Sequence, residues 1–97
     1  MLEDLTTFYK IFADKTRLEI LTLLQKNKLC VNDISIKLNK TQSLISHQLK
    51  ILRDNNLVKY EKRGQSVIYS IIDNHINIIL KYGIEHLEEK KNYEKIN

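Results

Sequence analysis

Residues 31–57 read VNDISIKLNKTQSLISHQLKILRDNNL, and the spacing of their apolar side chains decides the fold. Val31, Ile34 and Leu38 recur at three and four residues, the period of one face of a short helix. Asn39 and Lys40 then form a tight turn, and Thr41 offers a hydroxyl suited to capping the next helix. That helix is expected from about Gln42 to Asp54, with Ile45, Leu49 and Leu52 turned towards a core. Two short helices joined by so brief a turn match the helix-turn-helix pattern, whose second helix enters the major groove of DNA.

The outer face of the second helix supports that reading. Ser43, Ser46, His47 and Lys50 share a polar stripe that is small and uncharged near the start and basic further along. Hydroxyls and an imidazole reach base edges without filling the groove, and Lys50 is placed for a phosphate. Gln42, in the first turn, adds an amide able to pair bidentately with adenine. A merely solvated face would carry Glu–Lys pairs, yet no acid precedes Asp54 in this helix.

Downstream, two runs rich in Val, Ile and Tyr, at 57–62 and 66–72, flank Arg63-Gly64-Gln65. They predict a β-hairpin wing over about 57–72, with Arg63 exposed at the tip beside a glycine suited to positive φ. Lys59, Lys62 and Arg63 are expected to follow the phosphate backbone, adding affinity without sequence information. Upstream, Leu5, Phe8, Tyr9 and Phe12 mark a first amphipathic helix ending near Ala13. Asp14 can cap a second, in which Leu18, Leu21 and Leu24 form a stripe widened by Ile20 and Leu23. Lys26-Asn27-Lys28 is a polar turn, and a last helix is expected from Asn74 to about Lys90, apolar at Ile76, Ile79, Leu80, Ile84 and Leu87. The expected class is mainly α with a β-hairpin wing, a winged helix-turn-helix of about five helices. Residues 1–97 suffice for one core and form a single domain in this reading.

The net charge of +4 matters less than its distribution. Residues 37–65 hold Lys37, Lys40, Lys50, Arg53, Lys59, Lys62 and Arg63 against only Asp54 and Glu61. A basic excess confined to one supersecondary unit is the footprint of a phosphate-backbone binder. No apolar run approaches the roughly 18 residues of a membrane span. The opening MLEDLTTFYKIFADK lacks a signal-peptide pattern, and the single cysteine, Cys30, suits a reducing compartment. A cytoplasmic location is expected.

Four strings in order along nearly the whole chain carry a family resemblance: FADKTRLEILTLL at 12–24, KLCVNDI at 28–34, TQSLISHQLKILRDNNLV at 41–58 and KRGQSVIYSI at 62–71. They resemble the second helix, third helix, recognition helix and wing of the ArsR/SmtB family of metal-responsive repressors, with Lys15 where a proline is common. The resemblance implies a homodimer, paired through its first and last helices, that binds operator DNA when metal-free and releases it when metal binds. The apolar stripes of those two helices are what such a dimer would bury.

The last helix also bears His75 and His86, with Asp73 just before it and Glu89 near its end. Eleven residues bring the histidines to one face but leave them roughly 16 Å apart. Zinc–nitrogen bonds are about 2.0–2.1 Å, so one chain cannot bring both to one ion. Two antiparallel copies can, with Asp73 and His75 of one chain facing His86 and Glu89 of the other. The pattern resembles the last-helix site of the family's zinc- and cobalt-sensing, SmtB-like branch at all four positions. Taken singly, Asp73 would serve as a helix cap, each histidine as a solvated side chain, and Glu89 as part of the charged run 88–91. The family's thiolate site calls for Cys-x-Cys where this chain has Cys30-Val31-Asn32, and Asn32 breaks the pair. There is no long cysteine-bearing arm to complete it either, so a soft-metal sensor is disfavoured. Nickel-sensing variants need further histidines, and only His47, on the DNA face, remains. Two imidazoles and two carboxylates favour tetrahedral zinc, with cobalt as a mimic.

The resemblance further suggests that a metal-bound histidine, with His86 the candidate, donates its second ring N–H near Asn56, just after the recognition helix. An alternative keeps the DNA binding and makes oxidation of Cys30 the signal, which needs an accessible thiol, whereas flanking Leu29 and Val31 predict burial. A third reading, a zinc hydrolase using Glu89 or Asp73 as base, is disfavoured, because catalytic zinc usually keeps an open position in a cleft and a helix pair at a dimer seam offers little room for substrate.

Overall fold

Five helices and one hairpin follow in the order α1 (Leu2–Phe12), α2 (Lys15–Lys26), α3 (Val31–Leu38), α4 (Gln42–Asp54), β1 (Val58–Arg63), β2 (Ser66–Ile71) and α5 (Asn74–Ile96). This is the arrangement in a computed structural model that describes the backbone of residues 1–96 and the side chains of residues 1–91. The caps sit where short polar side chains precede apolar runs. An Asp14 carboxylate oxygen accepts from the Arg17 N–H at 3.0 Å to open α2, and Thr41 Oγ1 accepts from the Leu44 N–H at 3.1 Å to open α4. Asn39 ends α3 in the left-handed region at φ 54°, which an asparagine tolerates better than most residues, so the chain reverses at once into α4.

Ile20 and Leu21 of α2, Ile34 of α3, and Ile45, Leu49 and Leu52 of α4 are fully buried together with Leu57. Val58 and Ile76 close this core from β1 and α5. α1 buries no residue fully: Phe8, Ile11 and Phe12 lean on the core, while Leu5 and Tyr9 face outward. Leu18, expected in the buried stripe of α2, is 37% exposed for a related reason, since it lines the outward side shared with α1.

β1 and β2 pair antiparallel, with Arg63 opposite Ser66, so the turn is the two residues Gly64 and Gln65. Arg63 therefore ends a strand instead of sitting in a three-residue tip. Of these two turn residues only Gly64 has positive φ, 62°, the pattern of a type II′ turn, whose twist matches the strands. On the free edge of β2, Leu29 exchanges two backbone hydrogen bonds with Tyr69, at 3.1 and 2.8 Å. The connection after α2 thus becomes a third, one-residue edge of the wing. α5 continues to Ile96, past the expected end near Lys90, because no glycine or proline follows to stop it. At about 1.5 Å per residue it extends roughly 34 Å. Among the described residues, no helix is long and apolar enough to cross a membrane.

Candidate nucleic-acid interface and metal half-sites

α4 is anchored by one face and bare on the other. With Ile45, Leu49 and Leu52 buried, helical geometry turns Gln42, Ser43, Ser46, His47 and Lys50 outward, and all five are exposed. Gln42 does not hang free: its Nε2 donates to Asn32 Oδ1 at 2.9 Å, joining the first turns of α3 and α4. Lys50 is also engaged, with Nζ 2.7 Å from an Asp54 carboxylate oxygen one turn on. That hydrogen bond, aided by the charges of Lys50 and Arg53, holds the Asp54 carboxyl below the usual carboxylate range. An exposed pair of this kind is screened by salt and can open to let Lys50 reach a phosphate.

One residue that sequence reasoning missed sets how α4 sits. Arg17 Nε donates to the Ile11 carbonyl at 2.8 Å, and its Nη1 donates to Gln48 Oε1 at 3.0 Å. A single half-buried guanidinium thereby ties the end of α1 and the body of α2 to the recognition helix. The only signal for it was its place within FADKTRLEILTLL, three residues after the Asp14 cap.

The wing divides its bases between two faces. Strand alternation puts Lys59, Glu61 and Arg63 on one side and Val58, Tyr60 and Lys62 on the other. Lys62 and Arg63 thus leave β1 on opposite faces, both exposed beside the turn. Arg63 is paired with Glu61, its Nη2 and Nε lying 2.6 and 2.7 Å from the same carboxylate oxygen. Arg53 lies over the Tyr60 ring at 5.1 Å, and Tyr60 tilts against Tyr69 at 5.8 Å between centroids. The division of labour between helix and wing predicts different mutational signatures. Alanine at Ser46 or His47 should change which bases are preferred, whereas Arg63→Ala should weaken all duplexes alike and flatten the salt dependence. Equal, sequence-independent losses at all three positions in a binding assay would reassign the recognition face.

At the start of α5, Asp73 Oδ1 accepts from the His75 N–H at 2.9 Å and lies 3.2 Å from His75 Nδ1. Asp73 is therefore a cap and, through the same oxygen, a neighbour of the imidazole. His86 and Glu89 are exposed further along the helix, three residues apart and on one face. One end of α5 thus brings an imidazole and a carboxylate into contact, the other carries one of each on a shared face, and the two ends stay apart. Among the described residues no three His, Cys, Asp or Glu side chains converge on a metal position, as the length of a single helix requires. The donor chemistry of each half fits zinc, which takes nitrogen and oxygen ligands, but neither half supplies four. Among the described residues no hydrogen bond joins His86 to Asn56, which holds a left-handed turn at φ 60° after α4.

Between α1, α2 and α5 runs an apolar groove of about 360 Å³, lined by Tyr9, Phe12, Leu18, Gly83, Ile84 and Leu87 among others. Tyr9, Ile84 and Leu87 are more than half exposed. Cys30 is half-buried, contrary to the burial expected from its neighbours, because it occupies the N-cap position of α3 and not its interior. Its Sγ donates to an Asp33 carboxylate oxygen at 3.2 Å, a partner unlike the Lys, Arg or His that marks reactive cysteines.

A helix-turn-helix with an exposed polar face on its second helix, followed by a two-stranded wing, defines a winged helix-turn-helix domain. Residues 14–60 match the model of the bacterial regulatory protein, arsR family. Over 87 residues the chain is 37% identical to a transcriptional repressor SmtB homolog of a Synechocystis strain, covering 90% of this chain and 66% of that protein. It is 41% identical to the arsenical resistance operon repressor of Bacillus subtilis, over 86% of this chain and 80% of the repressor. Among solved structures, the homodimeric winged helix-turn-helix DNA-binding domain Mb0332 of Mycobacterium bovis, a possible ArsR-family regulator, superposes with a TM-score of 0.80 at 25% identity, covering 91% of this chain and 85% of that one. The chain belongs to the ArsR family. It spans about two thirds of the length of the SmtB homolog, and these relatives are transcription regulators rather than enzymes.

Proposed function

We propose that this chain is the subunit of a homodimeric, metal-responsive repressor that binds operator DNA when metal-free and releases it when zinc, or cobalt in its place, is bound. The observation that carries the metal reading is the pairing of Asp73 with His75 at one end of α5, with His86 and Glu89 on the same face roughly 16 Å away. Each end is half of a two-nitrogen, two-oxygen site, and only a second antiparallel α5 supplies the other half. The apolar groove beside α5 supplies the reason for two subunits to meet there, since exposed apolar patches rimmed by polar residues mark association surfaces. The repressors of Synechocystis and Bacillus subtilis among its relatives support a repressor, and the Mycobacterium bovis domain supports the twofold assembly. The choice of zinc rests on the donor set, which holds imidazoles and carboxylates and no thiolate.

DNA binding would place the α4 helices of a dimer in successive major grooves, about one helical turn apart, with Gln42, Ser43, Ser46 and His47 towards the bases and Lys50, Lys62 and Arg63 towards phosphates. When bound, zinc would fix the relative position of the two α5 helices. Release requires only that the dimer geometry it favours fit the operator less well. The test is a titration of a roughly palindromic duplex with metal-free protein, repeated with zinc. Two subunits per operator and a loss of affinity of tenfold or more on zinc addition are expected. One subunit per operator, or an affinity indifferent to zinc, would overturn the reading. A complex indifferent to zinc but dissociated by peroxide would select oxidation of Cys30 as the signal instead.

A further inference from the structure

The Gln42–Asn32 contact has no part in holding the helices together that burial would explain, since both side chains are exposed at the start of their helices. We infer that Asn32, on α3, is a specificity-determining positioning residue: its side-chain oxygen orients the Gln42 amide so that α4 reads adenine. The inference rests on the DNA-binding reading above and deepens it.

The chemistry follows from counting donors and acceptors. A glutamine amide has two N–H donors and one carbonyl acceptor. Gln42 Nε2 spends one N–H on Asn32 Oδ1 at 2.9 Å. When the N–H spent is the one trans to the carbonyl, the other N–H and the carbonyl oxygen remain side by side on the far edge of the amide. Adenine presents the complementary pair in the major groove, the N7 acceptor beside the N6 amino donor. Guanine presents two acceptors and would face the Gln42 carbonyl with a repulsive one. Turning the Gln42 amide over keeps the contact only if the Asn32 amide turns with it and donates from Nδ2 to the Gln42 oxygen, so the two amides take their sense jointly. Asn32 thereby couples the sense of the Gln42 amide to its own, holds the Gln42 side chain in the position seen here, and removes much of the rotamer freedom that a long exposed side chain would otherwise lose on binding. The position is also informative, because Asn32 stands where the family's thiolate branch has the second cysteine of Cys-x-Cys. Here the first turn of α3 carries a contact to the reading side chain.

The experiment begins with selection of preferred duplexes from a random pool by the wild-type, metal-free protein. If no sequence is enriched, the DNA-binding reading itself fails. Given an enriched operator, affinities for it and for single-base variants are compared among wild type, Gln42→Ala, Asn32→Ala and Asn32→Asp, with helix content checked by circular dichroism. Gln42→Ala should lose between about fivefold and a hundredfold of discrimination at one adenine per half-site. Asn32→Ala should lose part of the same discrimination, about threefold to tenfold, at that base alone, and the double variant should be no worse than Gln42→Ala. Asn32→Asp offers only acceptors, so it should keep the adenine preference while its added negative charge weakens all duplexes alike. If Asn32→Ala discriminates at that base like wild type, or loses affinity uniformly, the inference fails. It fails equally if Asn32→Asp abolishes the adenine preference, or if no adenine responds to Gln42→Ala.

Discussion

Co-refolded His75→Ala and His86→Ala chains are expected to regain one tight zinc site per mixed dimer, although neither parent homodimer should bind zinc tightly. Each parent lacks one imidazole from both of its sites, leaving three ligands at most. In the mixed dimer one site carries both substitutions and is lost. The other takes Asp73 and His75 from the His86→Ala chain, and His86 and Glu89 from the His75→Ala chain, and is complete. The physical premise is the length of α5: eleven residues at about 1.5 Å each hold the two histidines far beyond the span of any one ion. Asp73 keeps its capping bond to the residue 75 N–H in either variant, because that donor is backbone, so α5 should start where it does in the wild type. Isothermal titration of isolated heterodimer reads the outcome. An absent tight site there, with both chains folded, removes the cross-chain assignment of these four ligands.

Ile84→Glu is expected to leave the subunit folded and to abolish its pairing. The side chain is 52% exposed on the isolated chain, so a carboxylate there stays hydrated and the core around Ile20, Leu49 and Leu52 is untouched. In a dimer sealed across the groove of Tyr9, Phe12 and Leu87, the same carboxylate would be buried without a partner, at a cost of several kcal/mol per ion even after relaxation. Sedimentation should report a monomer at micromolar concentration. Operator affinity should fall by about two orders of magnitude or more, since two tethered half-site contacts become independent ones. Zinc binding should fall with it, because each of the proposed sites draws its ligands from two chains. A variant that remains dimeric with undiminished operator affinity would move the interface away from this groove.

The elements and their order were legible because the signals for them are local. The three- and four-residue spacing of Ile45, Leu49 and Leu52 marks a buried face wherever the helix is docked, and those side chains are fully buried. Asp14 and Thr41 cap the helices that follow them, since a cap reaches only two or three residues along its own chain. Gly64 opens the wing turn for a similarly local reason, the cost of positive φ to any side chain. What the sequence left undetermined were contacts between long polar side chains and distant partners. Counted as a charge, Arg53 is a base for DNA; in the fold it covers Tyr60, while Arg63 and Lys50 hold Glu61 and Asp54. Arg17 reaches Gln48, Leu29 pairs with Tyr69, and Gln42 meets Asn32, each across a distance that no periodicity encodes. The sequence by itself determined which faces are apolar, where helices start and that the basic excess lies in residues 37–65. Only the tertiary structure decided which basic side chains are already paired, which strand face each occupies and what orients the recognition helix. Burial of an apolar stripe follows from local spacing, whereas a hydrogen bond exists only where packing has brought donor and acceptor to about 3 Å.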